Sequence, residues 1–307
     1  VTAPQPTPPG PSAPIEATFR DAWGIDVVHD TWSAADPHGV VQIAHGVGEH
    51  GGRYASLARD LVAAGWTVVV NDHRGHGRTG LRQHGDDRTQ LGRLGPGGLR
   101  AAVAAVQQMT QVARQAHPGL PIVLLGHSWG SIMAQKIVNT ASGEYDGLVL
   151  SGSAYRVPGW MNGGDLNKRH AHLGPTKYEW LTRDRAIIEA MAGDPLAAEA
   201  DVIGLFGIAD TLRLLGVPRR RIPHDLPLLL QVGSDDPLGG PRSVHRLARA
   251  YRGRAGLTDV RVHVYEGARH EVYNETNRDE VIADLVAWLN AHARTADVRG
   301  GGVASAG

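Results

Sequence analysis

The chain has 307 residues, with 31 Lys or Arg balanced by 31 Asp or Glu, sixteen histidines and no cysteine. Zero net charge removes the electrostatic case for nucleic acid or an anionic membrane surface as a partner. Lack of cysteine excludes disulfides, thiolate metal sites and a thiol nucleophile. The length is more than a typical domain needs, yet common for a single α/β unit.

Residues 1–14 hold six prolines and no apolar segment. An extended or disordered tail over 1–16 is therefore expected, rather than a signal peptide. Residues 17–23 and 26–32 read as the two strands of a hairpin turning at Gly24. Residues 40–44 form a third strand that runs into His45-Gly46-Val47-Gly48. Residues 54–64 are helical, and 67–70 form a buried strand ending at Asn71-Asp72. Residues 99–117 make a long amphipathic helix, with Val103, Val106 and Val112 on one side, and Pro118-Gly119 stops it.

Next comes Ile-Val-Leu-Leu-Gly-His-Ser-Trp-Gly-Ser at 122–131, an apolar run delivered into Gly126-X-Ser128-X-Gly130. This is the strand–turn–helix pattern of the nucleophile elbow in α/β-hydrolases. Such a turn strains the serine backbone, and glycines two residues either side relieve the crowding. Residues 129–140 continue as the helix, with Ile132, Met133, Ile137 and Val138 on one face.

A sixth strand follows at 148–150, and the rhythm breaks at Ser151. Residues 152–222 contain helical fragments, glycines and prolines but no convincing strand. Alternation resumes with a strand at 228–232, a helix near 244–251, a strand at 260–265 and a helix near 278–293; 295–307 reads as a flexible tail. The fold class is α/β: eight mostly parallel strands with helices on both faces. The core is assigned to 17–151 and 223–294, and 152–222 to a helical cap over the strand C-termini, where such folds bind ligands. No stretch approaches the ~18 apolar residues of a membrane span. No membrane insertion is expected, and a cytoplasmic enzyme is the default.

A serine nucleophile needs a base, and the base an orienting acid. In this fold they follow in the order Ser, Asp or Glu, His. The strand after the cap ends in Gly233-Ser234-Asp235-Asp236, offering two carboxylates. The junction between last strand and last helix reads Tyr265-Glu266-Gly267-Ala268-Arg269-His270, and His270 alone among the histidines sits there. Trp129, directly after the nucleophile, supplies one backbone N–H of an oxyanion hole. The pair His73 and His76 invites a metal reading, but no helix aligns them. His170 and His172 read as solvated cap residues. No metal and no cofactor is expected.

Five ordered segments together resemble the monoacylglycerol lipase-like branch of the α/β-hydrolases, which also takes in bacterial lysophospholipases. They are His45-Gly46-Val47-Gly48-Glu49-His50-Gly51-Gly52-Arg53-Tyr54, Asp72-His73-Arg74-Gly75-His76-Gly77, the elbow, and the acid and base segments. The likeness runs from about residue 17 to residue 293. It implies an esterase in which Asp236, not Asp235, is the acid, and in which Val47 gives the second oxyanion N–H. It also implies that Asp72–Gly77 is a structural loop. Later cap segments fit too, including Leu205-Phe206-Gly207-Ile208-Ala209, which makes Phe206 a candidate substrate contact.

The first part of the cap departs from that pattern. Residues 155–174 are short and polar, with Asn162, Gly163, Gly164, Asp165 and Asn167, and the whole chain has two phenylalanines. This favours small to medium soluble monoesters over a long-chain monoacylglycerol or lysophospholipid, because little apolar area is offered to a lipid. A monoester of a diacid is a further alternative, with Arg156, Arg169, Arg183 or Arg185 binding its free carboxylate. A non-catalytic binding module is the reading from another class; it usually lacks a triad member.

Overall fold

A computed structural model describes residues 13–296. The tail assignments at 1–12 and 297–307 lie outside the described residues. Eight strands form one sheet in the order β1-β2-β4-β3-β5-β6-β7-β8. They are β1 (Ile15–Arg20), β2 (Asp26–Trp32), β3 (Gly39–Ala44), β4 (Trp66–Asn71), β5 (Ile122–His127), β6 (Gly147–Ser151), β7 (Leu228–Gly233) and β8 (Val260–Tyr265). β1 pairs antiparallel with β2, and β2 antiparallel with β4; the remaining pairs are parallel.

β3 to β7 are buried at every position. Helices cover both faces of a parallel sheet, so its strands carry continuous apolar runs rather than alternation. The helices are α1 (Ala55–Ala63), α2 (Gly77–Gln83), α3 (Gly98–Ala116), α4 (Trp129–Ala141), α5 (Arg185–Ala192), α6 (Val202–Leu214), α7 (Gly240–Ala250) and α8 (Arg278–Ala296). One core joins Val106 and Met109 of α3, Ile132 and Ile137 of α4 and Leu247 of α7 to one sheet face. A second joins Leu57 and Leu61 of α1 with Leu285 and Leu289 of α8 on the other.

The first strand sits earlier than its pattern predicts, taking in Ile15 and Glu16 and stopping at Arg20. Asp21 ends it: its carboxylate accepts the N–H groups of Trp23 (2.8 Å) and Ile25 (2.9 Å) and pairs with buried Arg74. That Asx turn outcompetes the ladder. Between β6 and β7 the described chain is loop-rich, with α5, α6 and a small apolar cluster of Trp180, Leu181 and Met191. α6 kinks at Gly207, whose φ of 74° and ψ of 167° only glycine adopts readily. Among the described residues no helix is long and apolar enough to cross a membrane.

Candidate active site

β5 delivers the chain into the elbow, where Ser128 adopts φ 52° and ψ −122°. That is an outlier region for a residue with a side chain. Crowding explains the flanking glycines. A Cβ on Gly126 would lie 2.7 Å from Gly130 O, and one on Gly130 only 2.0 Å from Ala44 O. Trp129 is the first residue of α4, so its N–H belongs to the set a helix leaves without intrahelical partners.

The loop after β3 presses on Ser128 from the other side. A Cβ on Gly46 would sit 3.1 Å from Ser128 Cβ. Gly48 takes φ +75°, and a side chain there would meet Ala198 O at 2.3 Å. Val47, between these glycines, lines one cavity with Ser128 and Trp129.

β7 ends at Gly233 and the following turn buries Asp236. Its Oδ1 accepts from His270 Nδ1 at 2.9 Å and from the Leu238 N–H at 2.9 Å. Both side chains are almost wholly enclosed, at 1% and 0% exposure. His270 Nε2 has no protein partner, and it shares a pocket with Ser128. Burial pushes the His270 pKa down, but the adjacent Asp236 carboxylate outweighs it and the net shift is upward. Asp235 turns elsewhere: its carboxylate takes Arg169 at 2.8 Å and His170 at 2.7 Å.

A buried charge network went unread in the sequence. Arg53 grips Glu271 with two bonds, 2.6 and 2.8 Å, and Glu49 with one of 2.9 Å. Glu49 Oε1 accepts the Gly46 N–H at 2.5 Å and the Tyr54 hydroxyl at 2.8 Å. Burial alone would raise the Glu271 pKa, but the Arg53 charge and bonds pull it to about 2. Arg53 is held above its ordinary value by the two carboxylates, against the cost of its burial. The signal available was position alone: Glu49 and Arg53 lie within the His45–Tyr54 motif, and Glu271 follows His270.

Two cavities meet at Ser128. One is small, about 20 Å³, with the charged side chains of Glu49, Arg53 and Glu271 beside Tyr178, Trp180, Met191 and His270 in its wall. The other measures about 760 Å³ and is mainly apolar, with Ile132, Met161, Leu166, Val202, Leu214 and Leu238 among its lining.

Residues 35–277 match the family Hydrolase_4, described as serine aminopeptidase, S33. The chain belongs to this family. It is 32% identical to the monoacylglycerol lipase of Mycolicibacterium smegmatis, over 90% of this chain and 97% of that one. It is 28% identical to the human monoglyceride lipase, over 85% of each chain. A thermostable carboxyl esterase from Bacillus coagulans, solved in complex with glycerol, shares the fold with a TM-score of 0.75. That likeness carries 24% identity and covers 92% of this chain and 99% of the esterase. The protein is an α/β-hydrolase of the monoacylglycerol lipase-like branch, an esterase- or lipase-type enzyme.

Several residues proposed from sequence lie away from the hydrolase's cavities. None of the four cap arginines is among the lining residues. Arg156 is buried, donating to Gln135 Oε1 at 3.0 Å and Leu214 O at 2.7 Å. Arg169 holds Asp235. Arg183 pairs with Glu275 and Asn277, each at 2.8 Å. Arg185 is exposed, 3.8 Å from Glu189. Each guanidinium is drawn to a carboxylate or carbonyl of the fold itself. Phe206 packs half-buried against the Trp129 ring, centroids 5.0 Å apart, rather than lining the cavity. His170, expected in solvent, is buried on Asp235.

The other histidines near the site are packed rather than poised. The His45 and His73 rings lie 3.9 Å apart, tilted by 32°, and His76 stacks on Trp129 at 5.2 Å. Burial lowers the pKa of His45 to about 4 and of His76 to about 3. Among the described residues no group of three His, Cys, Asp or Glu is arranged to hold a metal ion. His127, 4.8 Å from the His270 ring, is lowered to about 4 by burial and by the facing His270.

Proposed function

We propose that this hydrolase cleaves monoesters with a long apolar acyl chain and a small polar alcohol, monoacylglycerols being the model class, through an acyl-enzyme on Ser128. The observation that carries the substrate class is the 760 Å³, mainly apolar cavity that Ser128 lines, set against a small second pocket at the same serine. A short acyl group would leave most of that volume unfilled, so the small soluble esters favoured by cap composition are the weaker reading. The name and coverage of the Mycolicibacterium smegmatis relative support the same class.

In this reading Ser128 Oγ attacks the ester carbonyl carbon while its proton passes to His270 Nε2. The Val47 and Trp129 N–H groups take the developing oxyanion. Asp236 fixes the tautomer of His270 and stabilises the imidazolium that forms. As the intermediate collapses, His270 returns the proton to the departing alcohol. Water then repeats the sequence on the acyl-enzyme. The full set of side chains speaks against a non-catalytic binding module. The two cations lining these cavities among the described residues are already paired: Arg53 with Glu49 and Glu271, and Lys177 with Glu199 at 2.8 Å, which weighs against a substrate with a free carboxylate.

The test is a panel of p-nitrophenyl esters and 1-monoacylglycerols of graded chain length, run beside Ser128→Ala. Each enclosed methylene contributes about 0.8 kcal/mol, so kcat/KM is expected to climb by up to about fourfold per carbon until the cavity is full. A maximum at two to four carbons would overturn the substrate class. Reaction of Ser128→Ala with a serine-directed phosphonate would overturn the nucleophile.

A further inference from the structure

We infer that Glu49 is a positioning residue that holds the oxyanion loop through the Gly46 N–H. The inference rests on Ser128 and its acyl-enzyme as proposed above. Val47 can donate to an oxyanion only if its loop is fixed, and the loop is glycine-flanked on both sides. Three contacts fix it. His45 Nδ1–H donates to Gly46 O at 2.7 Å, a tautomer set by Nε2, which accepts the His73 N–H at 2.9 Å. The Ala198 N–H donates to Gly48 O at 2.9 Å. The third is the 2.5 Å bond from the Gly46 N–H to Glu49 Oε1. It alone places a carboxylate on the loop backbone, and charge-assisted bonds are about twice as strong as neutral ones.

Glu49 is itself immobilised. Tyr54 holds Oε1, Arg53 holds Oε2, and the side chain is 6% exposed. Arg53 passes the constraint to Glu271, which is covalently next to His270. A continuous chain of charged bonds thus spans from the oxyanion loop to the base loop. Its expected effect is to keep Val47 N–H and His270 Nε2 at fixed places around Ser128.

Glu49 also lines the small pocket beside Ser128, so a contact to the departing alcohol is the rival role. The two roles separate in time. Deacylation uses the oxyanion hole but takes place after the alcohol has left. Pre-steady-state burst kinetics with a p-nitrophenyl ester give acylation and deacylation rates separately, for Glu49→Gln, Glu49→Asp and Ser128→Ala in the full chain. Gln keeps an acceptor oxygen at the right reach; Asp keeps the charge but withdraws it by one methylene.

Glu49→Asp is expected to slow both steps by on the order of 10², the scale of a lost oxyanion donor, with little change in KM. Glu49→Gln should stay within about tenfold of wild type in both. Unchanged deacylation in Glu49→Asp, or a loss confined to KM for monoacylglycerol, would overturn the inference. So would a Gln variant more damaged than Asp, which would make the ion pair, not the N–H acceptor, the important feature. A burst surviving in Ser128→Ala would instead bring down the underlying nucleophile assignment. An abolished burst there, with Glu49→Asp like wild type, would bring down the positioning role alone.

Discussion

Replacing Asp236 by Asn should cost far more than replacing its neighbour Asp235, and the structure sets the size of the gap. Asp236 Oδ1 receives two N–H groups, from Leu238 and His270, both at 2.9 Å. An Asn side chain must keep its oxygen at that corner, because an amide NH₂ there would face two donors. The His270 tautomer is therefore retained, and what disappears is the negative charge beside the imidazolium. Two unit charges ~4 Å apart at an effective dielectric of about 20 interact by about 4 kcal/mol, which is about 10³ in kcat/KM. A flipped imidazole would bring the loss toward the ~10⁴ known from another serine triad. Asp235 is partly exposed, 35% at its side chain, and holds only the cap through Arg169 and His170. Such pairs contribute about 0–1 kcal/mol, so Asp235→Asn should lose less than about tenfold. The assay is kcat/KM on one p-nitrophenyl ester, corrected by active-site titration, with melting curves for both variants. Equal losses, the reverse order, or a loss under tenfold in Asp236→Asn would refute the acid assignment. A loss beyond 10⁴ would refute the pinned oxygen.

Further expectations concern pH and the cap. His270 must be neutral to accept a proton, and Asp236 holds its pKa above the ordinary value despite burial, so the acid limb of kcat/KM should lie above pH 6.5. The linked stability has the opposite sign: it is complete below pH 6.5 and fades as pH rises through the raised pKa. An acid limb below pH 6 would contradict the geometry. His45 and His127, lowered to about 4 by burial, stabilise the fold in neutral form. That stability is present above pH 6.5 and is lost as pH falls toward 4, by about 3 kcal/mol per site. Urea unfolding at pH 7 and pH 4.5 measures it, and equal midpoints would refute it. Arg185→Ala should leave kcat/KM within about twofold, since its pair is exposed. A selective loss on carboxylate-bearing monoesters would restore the diacid reading.

Most of the sheet was legible because buried parallel strands advertise themselves as apolar runs, as at 122–125 and 228–230. The elbow was legible because crowding demands glycine at 126 and 130. The first strand was misplaced by a side-chain turn at Asp21, and α2 escaped notice because Gly77 and Gly80 depress helix propensity. Ser128, Asp236 and His270 were picked out from the segments that follow strand ends, where such folds collect their reactive groups. The Glu49–Arg53–Glu271 network has no comparable local trace. Its central pair joins residues 218 positions apart, and no periodicity encodes a contact of that range.

The cap is hard to read from sequence for a different physical reason. Its polar residues build loops even where, like Asn162 and Asp165, they also border the large cavity. Asn162 Oδ1 accepts the Gly164 N–H at 2.9 Å, and Asp165 Oδ1 accepts that of Asn167 at 2.8 Å. Asn167 itself receives the Trp180 N–H at 3.0 Å and donates to Glu179 at 3.0 Å. A segment without regular structure must satisfy its backbone through such side chains, so polarity there is the signature of turns. The apolar wall comes instead from single residues far apart in sequence, such as Ile132, Met161, Trp180 and Leu214. They follow neither a 3.6 nor a 2.0 period, because no one helix or strand supplies them. In a loop-built cap, composition therefore reports how the chain turns, and the character of the cavity is set by which few side chains the turns leave pointing inward.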